Sequence, residues 1–241
     1  MGGVEARPAF DGEGVEDNVM VSGGLRLYSY WRSSAAYRVR IALNLKRLDY
    51  ELVPVHLVRD GGEQHGATFR KVNPQGLVPT LQHGQRLVRQ SMAIIEYLDE
   101  TFGEHPLLPA TARERARVRG LAQLIACDMH PLGNLRVLQY LEREFKATPE
   151  QREAWIRHWL ALGFEAIEAL LAENPSTGAF CDGESPGLAD CLLVPMVYNA
   201  RRFGLDLAPF PTVRRIDAHC LTLDAFQRAT PEAQPDAPPP G

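Results

Sequence analysis

A chain of 241 residues with 45% hydrophobic content can bury a sizeable core, and at ordinary domain sizes it makes one large or two modest domains. Its net charge of −4, with no stripe of Lys or Arg, argues against a nucleic-acid partner. No apolar run approaches the roughly 20 residues of a membrane span, and the opening MGGVEARPAFDGEGVEDN lacks the basic start and apolar middle of a signal peptide, so no membrane contact and a cytoplasmic address are expected.

Residues 1–22 are rich in Gly and acids without periodicity, which predicts a disordered extension. From 23 to 105 short strands alternate with helices. LRLYSY reads as a strand; Ala35, Val39, Ala42 and Leu43 then repeat at helical spacing, with Tyr37, Ile41 and Leu45 on a neighbouring track. Two apolar stripes this close predict a helix largely buried against a sheet. Lys46 and Arg47 follow at its carbonyl end, where cations complement the dipole. YELVPVHL reads as a second strand, GATFRKVN as a short helix, VPTLQHGQRLV as two strands turning at His83 and Gly84, and SMAIIEYLDETF as a helix capped by Ser91. The order βαβαββα is that of a thioredoxin-like layer around one central sheet.

Past Pro106 and Pro109 the pattern changes to all helix, over 110–230. ARERARVRGLAQLIACDMH is amphipathic, PLGNLRVLQYLEREF continues it after a kink expected at Pro131, and EAWIRHWLALGFEAIEALLA follows at 3.6-residue spacing. GLADCLLVPMVYNARRF is apolar enough to lie at the centre of this second domain, and Gly187, which opens it, tolerates the cap conformation but offers no side-chain oxygen. Residues 231–241, PEAQPDAPPPG, form a proline-rich tail that cannot hold a helix. Cys127, Cys181, Cys191 and Cys220 are scattered without a CxxC pair, which suits reduced, buried thiols. CDMH at 127–130 offers two ligands where a closed zinc site needs four, so no metal is expected.

Three stretches carry chemistry. WRSSAAYRVR, at the first strand-to-helix junction, holds two hydroxyls, Ser33 and Ser34, where one suffices for a cap, with Arg32 beside them. In VNPQGLVPT, a proline leading into a strand is accommodated by a cis Val78-Pro79 bond, which would leave the Val78 N–H and C=O free for an extended peptide. In RQSMAIIEYL, Ser91 and the first free N–H groups of the helix suit one carboxylate, and Gln90 can reach an ammonium or amide beside it.

Together these stretches resemble the glutathione transferase superfamily. Within it, YSYWRSS followed by RVRIALNLK, then NPQGLVPTL, QSMAIIEYL, CDMHPLGNLRVLQYL and LADCLLVPMVYNARRFGLDL resemble the zeta class, from about Leu25 to Asp236. That class contains maleylacetoacetate isomerases and bacterial maleylpyruvate isomerases. The resemblance implies an α/β thioredoxin-like N-terminal domain with an all-α C-terminal domain, glutathione as cofactor, a maleyl keto-acid dicarboxylate as substrate, and a homodimer. A hydroxyl donating to the sulfur, with the positive end of a helix, favours thiolate over thiol. The resemblance gives that role to Ser33 and leaves the cap to Ser34, although residues alone allow the exchange. It places Gln64, Val78, Pro79, Gln90, Ser91, His130 and Asn134 around glutathione, and Arg32, then Arg202, then Arg201 and Arg136, around the substrate anion. Ala35 stands where the zeta pattern often has a cysteine, so the only nucleophilic sulfur would be the tripeptide's. Conjugation of glutathione to electrophiles such as alpha-halo acids is the alternative activity, and a noncatalytic binding protein of the same fold is the alternative class.

Overall fold

The strand–helix alternation builds one four-stranded sheet. The computed structural model describes residues 24–239; the extension expected at 1–22 lies outside them. In chain order come β1 (Leu25–Ser29), α1 (Ser34–Leu45), β2 (Tyr50–Pro54), α2 (Ala67–Val72), β3 (Thr80–His83), β4 (Arg86–Arg89) and α3 (Ser91–Thr101), the order read from the sequence. The sheet runs β2-β1-β3-β4, with β1 parallel to β2 and antiparallel to β3, and with β3 and β4 as a hairpin. Its turn falls on Gly84 and Gln85, one residue later than expected, where Gly84 takes a φ of +59° that a residue without Cβ adopts freely.

The helical half contains α4 (Ala112–Gln123), α5 (Leu135–Phe145), α6 (Pro149–Ala172), α7 (Leu188–Arg202), α8 (Pro211–Cys220) and the short α9 (Asp224–Gln227). Helix α1 is buried from Ala36 through Asn44, because α7, α3 and α9 pack against it and its apolar side chains share a core with Leu27 and Leu81 of the sheet. That cover is why two apolar stripes were needed. Leu27, Leu81 and Ile94 of the sheet layer share one continuous core with Phe164, Leu192 and Val197 of the helices. At about 1.5–3 kcal/mol for each such side chain, this shared core holds the two halves together.

The linker between the halves is pinned by polar contacts. Lys46 lies at the end of α1 as expected, and it is buried. Its Nζ donates to Asp99 Oδ1 at 3.0 Å and to the Glu104 and His105 carbonyls, while Asp99 accepts from the N–H groups of Leu107 and Leu108. The Leu107 carbonyl in turn accepts from Leu188 N–H at 2.8 Å. A Cβ at Gly187 would stand 2.8 Å from that same oxygen, so the glycine that looked like a weak cap is required by close approach. Asp190 completes the helix start by accepting from Gly187 N–H at 2.9 Å.

Between α4 and α5 the expected proline kink is replaced by a π-helical turn, Leu124–Met129, followed by a 3-10 turn, His130–Gly133. The wider turn puts Ile125 and Met129 inward and leaves Cys127 exposed, whereas the other three cysteines are buried as expected. The C-terminal tail is likewise more ordered than its composition suggests. Pro231 opens a 3-10 turn, a position where its missing N–H costs nothing, and Pro231 and Gln234 are buried.

Candidate functional site

Strand β1 ends in a turn in which Ser33 N–H donates to the Tyr30 carbonyl at 2.9 Å. The chain enters α1 at Ser34, so Ser33 is the residue with extended backbone (φ −72°, ψ 115°), and its Oγ accepts from Ala36 N–H at 3.2 Å. This corrects the expected division of labour. Ser33 is the cap, because only the residue just before the first helical one can fold its hydroxyl back onto the third N–H of the helix. Accepting that N–H uses a lone pair and leaves the Ser33 proton free, so one hydroxyl can cap and still donate.

Arg32, Ser33, Ser34 and Ala35 form one wall of a cleft of about 340 Å³ between the two halves. Gln64, Gln75 and Val78 face it from the sheet domain; His130, Asn134 and Arg136 from the segment around α5; Arg202 from the end of α7. Val78-Pro79 is cis as the sequence implied, and among the described residues neither the N–H nor the C=O of Val78 has a hydrogen-bond partner. Gln64 is buried, its amide nitrogen donating to the Leu57 carbonyl at 3.2 Å while its Oε1 has no partner.

Gln90 and Ser91 stand behind this wall and do not line it. Ser91 is the first residue of α3 and not its cap; Gln90 holds the cap position at φ +71°, without a side-chain capping bond. A non-glycine residue at such a φ is of the kind that clusters at ligand sites. The Gln90 amide donates to Gln75 Oε1 at 2.8 Å, and buried Ser91 Oγ accepts from Arg38 Nη1 at 3.2 Å. Pro79 acts only as the cis partner of Val78.

One further expectation needs correction. Arg201 does not reach the cleft: successive residues on a helix lie about 100° apart, so only one of Arg201 and Arg202 can face it. Arg201 instead donates to buried Asp217 Oδ2 at 2.5 Å. Asn134 lines the cleft, yet its Oδ1 accepts from Arg136 N–H at 3.2 Å and caps α5, leaving its amide nitrogen as the free end.

The electrostatics divide the cleft. Arg32 and Arg202 both line it, and among the described residues neither pairs with a carboxylate. Arg202 is pushed below the usual guanidinium value by burial first and then by the charge of Arg32. Deeper in, the His130 imidazole is pushed down to about 3 by burial, with the charge of Arg38 second, so it is neutral at physiological pH. Arg38 is itself pushed down to about 9, by burial, and stays protonated at pH 7. Sequence reasoning missed Arg38 and Gln75. Arg38 had a readable signal: a helix apolar on two adjoining tracks leaves no exposed face for an arginine lying between them.

The family described as "Glutathione S-transferase, N-terminal domain" matches residues 27–106. A probable maleylacetoacetate isomerase of Vibrio cholerae is 51% identical over 88% of this chain and 98% of its own length. Among solved structures, a maleylpyruvate isomerase described as a bacterial zeta-class glutathione S-transferase superposes with a TM-score of 0.86 at 49% identity, over 88% of this chain and all of its own. A maleylacetoacetate isomerase of Methylobacterium extorquens AM1, solved with bound malonate and GSH, gives a TM-score of 0.85 at 44% identity over 88% of this chain and 99% of its own. Likeness of this extent, over both halves and the cleft between them, means that the chain belongs to the zeta-class glutathione transferase family, with the maleylacetoacetate and maleylpyruvate isomerases.

Proposed function

We propose that this chain is a glutathione-dependent cis-trans isomerase of maleyl keto acids, converting maleylacetoacetate to fumarylacetoacetate, or maleylpyruvate to its trans isomer, in aromatic catabolism. One observation carries the reading: a pair of guanidiniums without carboxylate partners among the described residues, Arg32 and Arg202, shares a cleft with a helix N-terminus bearing the hydroxyls of Ser33 and Ser34. The first pair suits a dianion and the second a sulfur anion.

The cleft fits the tripeptide on its own evidence. Val78 offers an unpaired N–H and C=O to an extended backbone, and Gln64 holds an unpartnered buried oxygen. The N-terminus of α3 supplies free N–H groups for the gamma-glutamyl carboxylate, with Ser91 and Gln90 beside them. Bound glutathione supplies a thiolate that adds reversibly to the cis double bond and leaves that bond free to rotate.

The chain's own groups do the rest. Ser33 donates its proton to the sulfur and lowers its pKa from the free value near 8.5; Ser34, one residue into the helix, is the second donor within reach. Arg32 and Arg202 grip the substrate carboxylate and offset the charge that gathers on the keto oxygen, with Arg136 at the rim. His130, being neutral, and Asn134 hydrogen-bond the tripeptide without competing for its negative charge. Ala35 places no protein thiol at the site. The enzyme is a homodimer in the cytoplasm, the latter supported by four cysteines that are all free.

Purified protein incubated with maleylacetoacetate or maleylpyruvate, with and without glutathione, tests this by the enone absorbance. Turnover that requires glutathione but does not consume it is expected. Turnover without glutathione, or none with either acid, overturns the proposal, and consumption of glutathione with alpha-halo acids alone would favour the transferase reading.

A further inference from the structure

The turn that carries Arg32 is held from outside its own domain. Trp31 N–H donates to Asp236 Oδ2 at 2.9 Å, across 205 residues of sequence. The Trp31 carbonyl accepts from Arg40 Nη2 at 3.0 Å, and Arg40 Nε donates to the Ala229 carbonyl at 3.0 Å. Both polar groups of residue 31 are thus tied, directly or through one guanidinium, to the stretch 229–236. The Trp31 ring in turn supports Arg32, whose guanidinium carbon lies 5.1 Å from the ring centroid.

The same stretch also touches the other arginine-bearing element. Glu232 Oε1 accepts from Tyr198 OH at 2.5 Å, and Tyr198 sits one helical turn before Arg202 on α7. The stretch also holds its own fold, with Pro231 buried and the Gln234 amide donating back to the Arg228 and Thr230 carbonyls at 2.9 and 2.8 Å.

We propose that the C-terminal segment 229–236 is a strap that fixes Arg32 relative to Arg202, with Asp236 as a positioning residue for binding of the substrate dianion. The assignment rests on the proposed function for its substrate, but not for its geometry. Asp236 touches no reacting atom; it sets the backbone from which Arg32 reaches the cleft. The strap does not touch Val78, Gln64 or α3, which face the body of the tripeptide, and reaches only the turn that carries Arg32 and the sulfur-facing hydroxyls, so loss of Asp236 weakens binding of the dianion more than binding of glutathione.

The test compares the full chain with D236A, D236N and a chain stopped after Pro235. Amide hydrogen exchange at Trp31 reads the geometry, and calorimetry with malonate and with glutathione reads the two halves of the cleft. In D236A and the shortened chain, Trp31 exchange should rise and malonate affinity fall by about tenfold each, as for one lost charge-assisted hydrogen bond. Glutathione affinity should fall clearly less than malonate affinity, and the KM for maleyl acid should rise more than kcat falls. D236N keeps an acceptor oxygen in the same place and should recover most of the loss, a rescue that a merely space-filling tail would not show. Unchanged Trp31 exchange in D236A, or equal loss of malonate and glutathione binding, overturns the strap. If the parent turns over neither maleyl acid while D236A still frees Trp31, the functional reading fails and the strap stands.

Discussion

Arg38 and Arg40 leave helix α1 two residues apart, and both are buried, yet their surroundings differ. Arg40 is fully engaged: its guanidinium donates to the Ala229, Trp31 and Tyr30 carbonyls and to Ser29 Oγ, between 3.0 and 3.5 Å. Arg38 makes one hydrogen bond, to Ser91 Oγ, and its Nε and Nη2 are buried without partners. Burial pushes both below the usual guanidinium value, Arg38 to about 9 and Arg40 to about 10. A saturated guanidinium is a joint in the scaffold. A half-used one at the start of α3 leaves much of its field unspent, and by donating to Ser91 it leaves that hydroxyl's own proton free.

The sharpest way to break this contrast is to remove each guanidinium. In R40M the three carbonyls and the Ser29 hydroxyl lose their donor while remaining buried, and stability should fall by about 3 kcal/mol, read from urea unfolding. A variant as stable as the parent would mean that these contacts are incidental. Next in size is S33A, on the turn that Arg40 holds. It should lose about a hundredfold in isomerisation at pH 7 together with about 1 kcal/mol of stability from the missing cap. Because the hydroxyl favours the anionic sulfur, its removal raises the thiol pKa. The activity deficit should therefore narrow as pH rises past about 8.5, where the sulfur ionises unaided. S34A, outside the cap, should keep full stability; if it instead carries the pH-dependent loss, Ser34 is the sulfur's donor.

Local patterns were legible where the chemistry is local. The strands, α1 with its two apolar tracks and the Ser-Ser junction follow from spacing, and the cis bond in LVPT follows from proline's missing donor taken together with the Ser-Ser and QS stretches. What escaped depends on where separate pieces meet. Which serine caps α1 is decided by the Tyr30–Ser33 hydrogen bond that ends the preceding turn, so the dipeptide alone left both assignments open. Gly187 looked like a compromised cap until the Leu107 carbonyl stood against it. Arg201 and Arg202 are equivalent in NARRF, and only the rotation of α7 against Asp217 separates them. Asp236 lies in a proline-rich tail whose composition argues only against a helix, and its partner is 205 residues away.

Removing Arg38 should act in the opposite sense to removing Arg40. R38M deletes a buried charge that is poorly paired, so stability should change by less than about 1 kcal/mol, while glutathione affinity weakens about tenfold as Ser91 loses its orientation. A large loss of stability with intact glutathione binding would make Arg38 a joint like Arg40 and erase the distinction.

The effect that is smallest at neutral pH concerns His130, whose imidazole feels Arg38 through space. Its folded value of about 3 lies below the unfolded value near 6.5, so between those limits the unfolded chain holds a proton that the folded one refuses. Stability is therefore unaffected by this group above pH 6.5 and declines as pH falls toward 3, by at most about 1.4 kcal/mol per unit. Buried Asp190 and Asp217 are raised, mainly by burial, and act with the reverse sign, so the effect is read as the difference between the parent and H130Q. That difference should grow on acidification, and it should be smaller when both proteins also carry R38M, because the charge that helps to keep the imidazole neutral is gone. Curves for the parent and H130Q that run parallel from pH 6.5 to 4 would show that the imidazole is not held neutral, and that the unspent field of Arg38 does not reach the cleft.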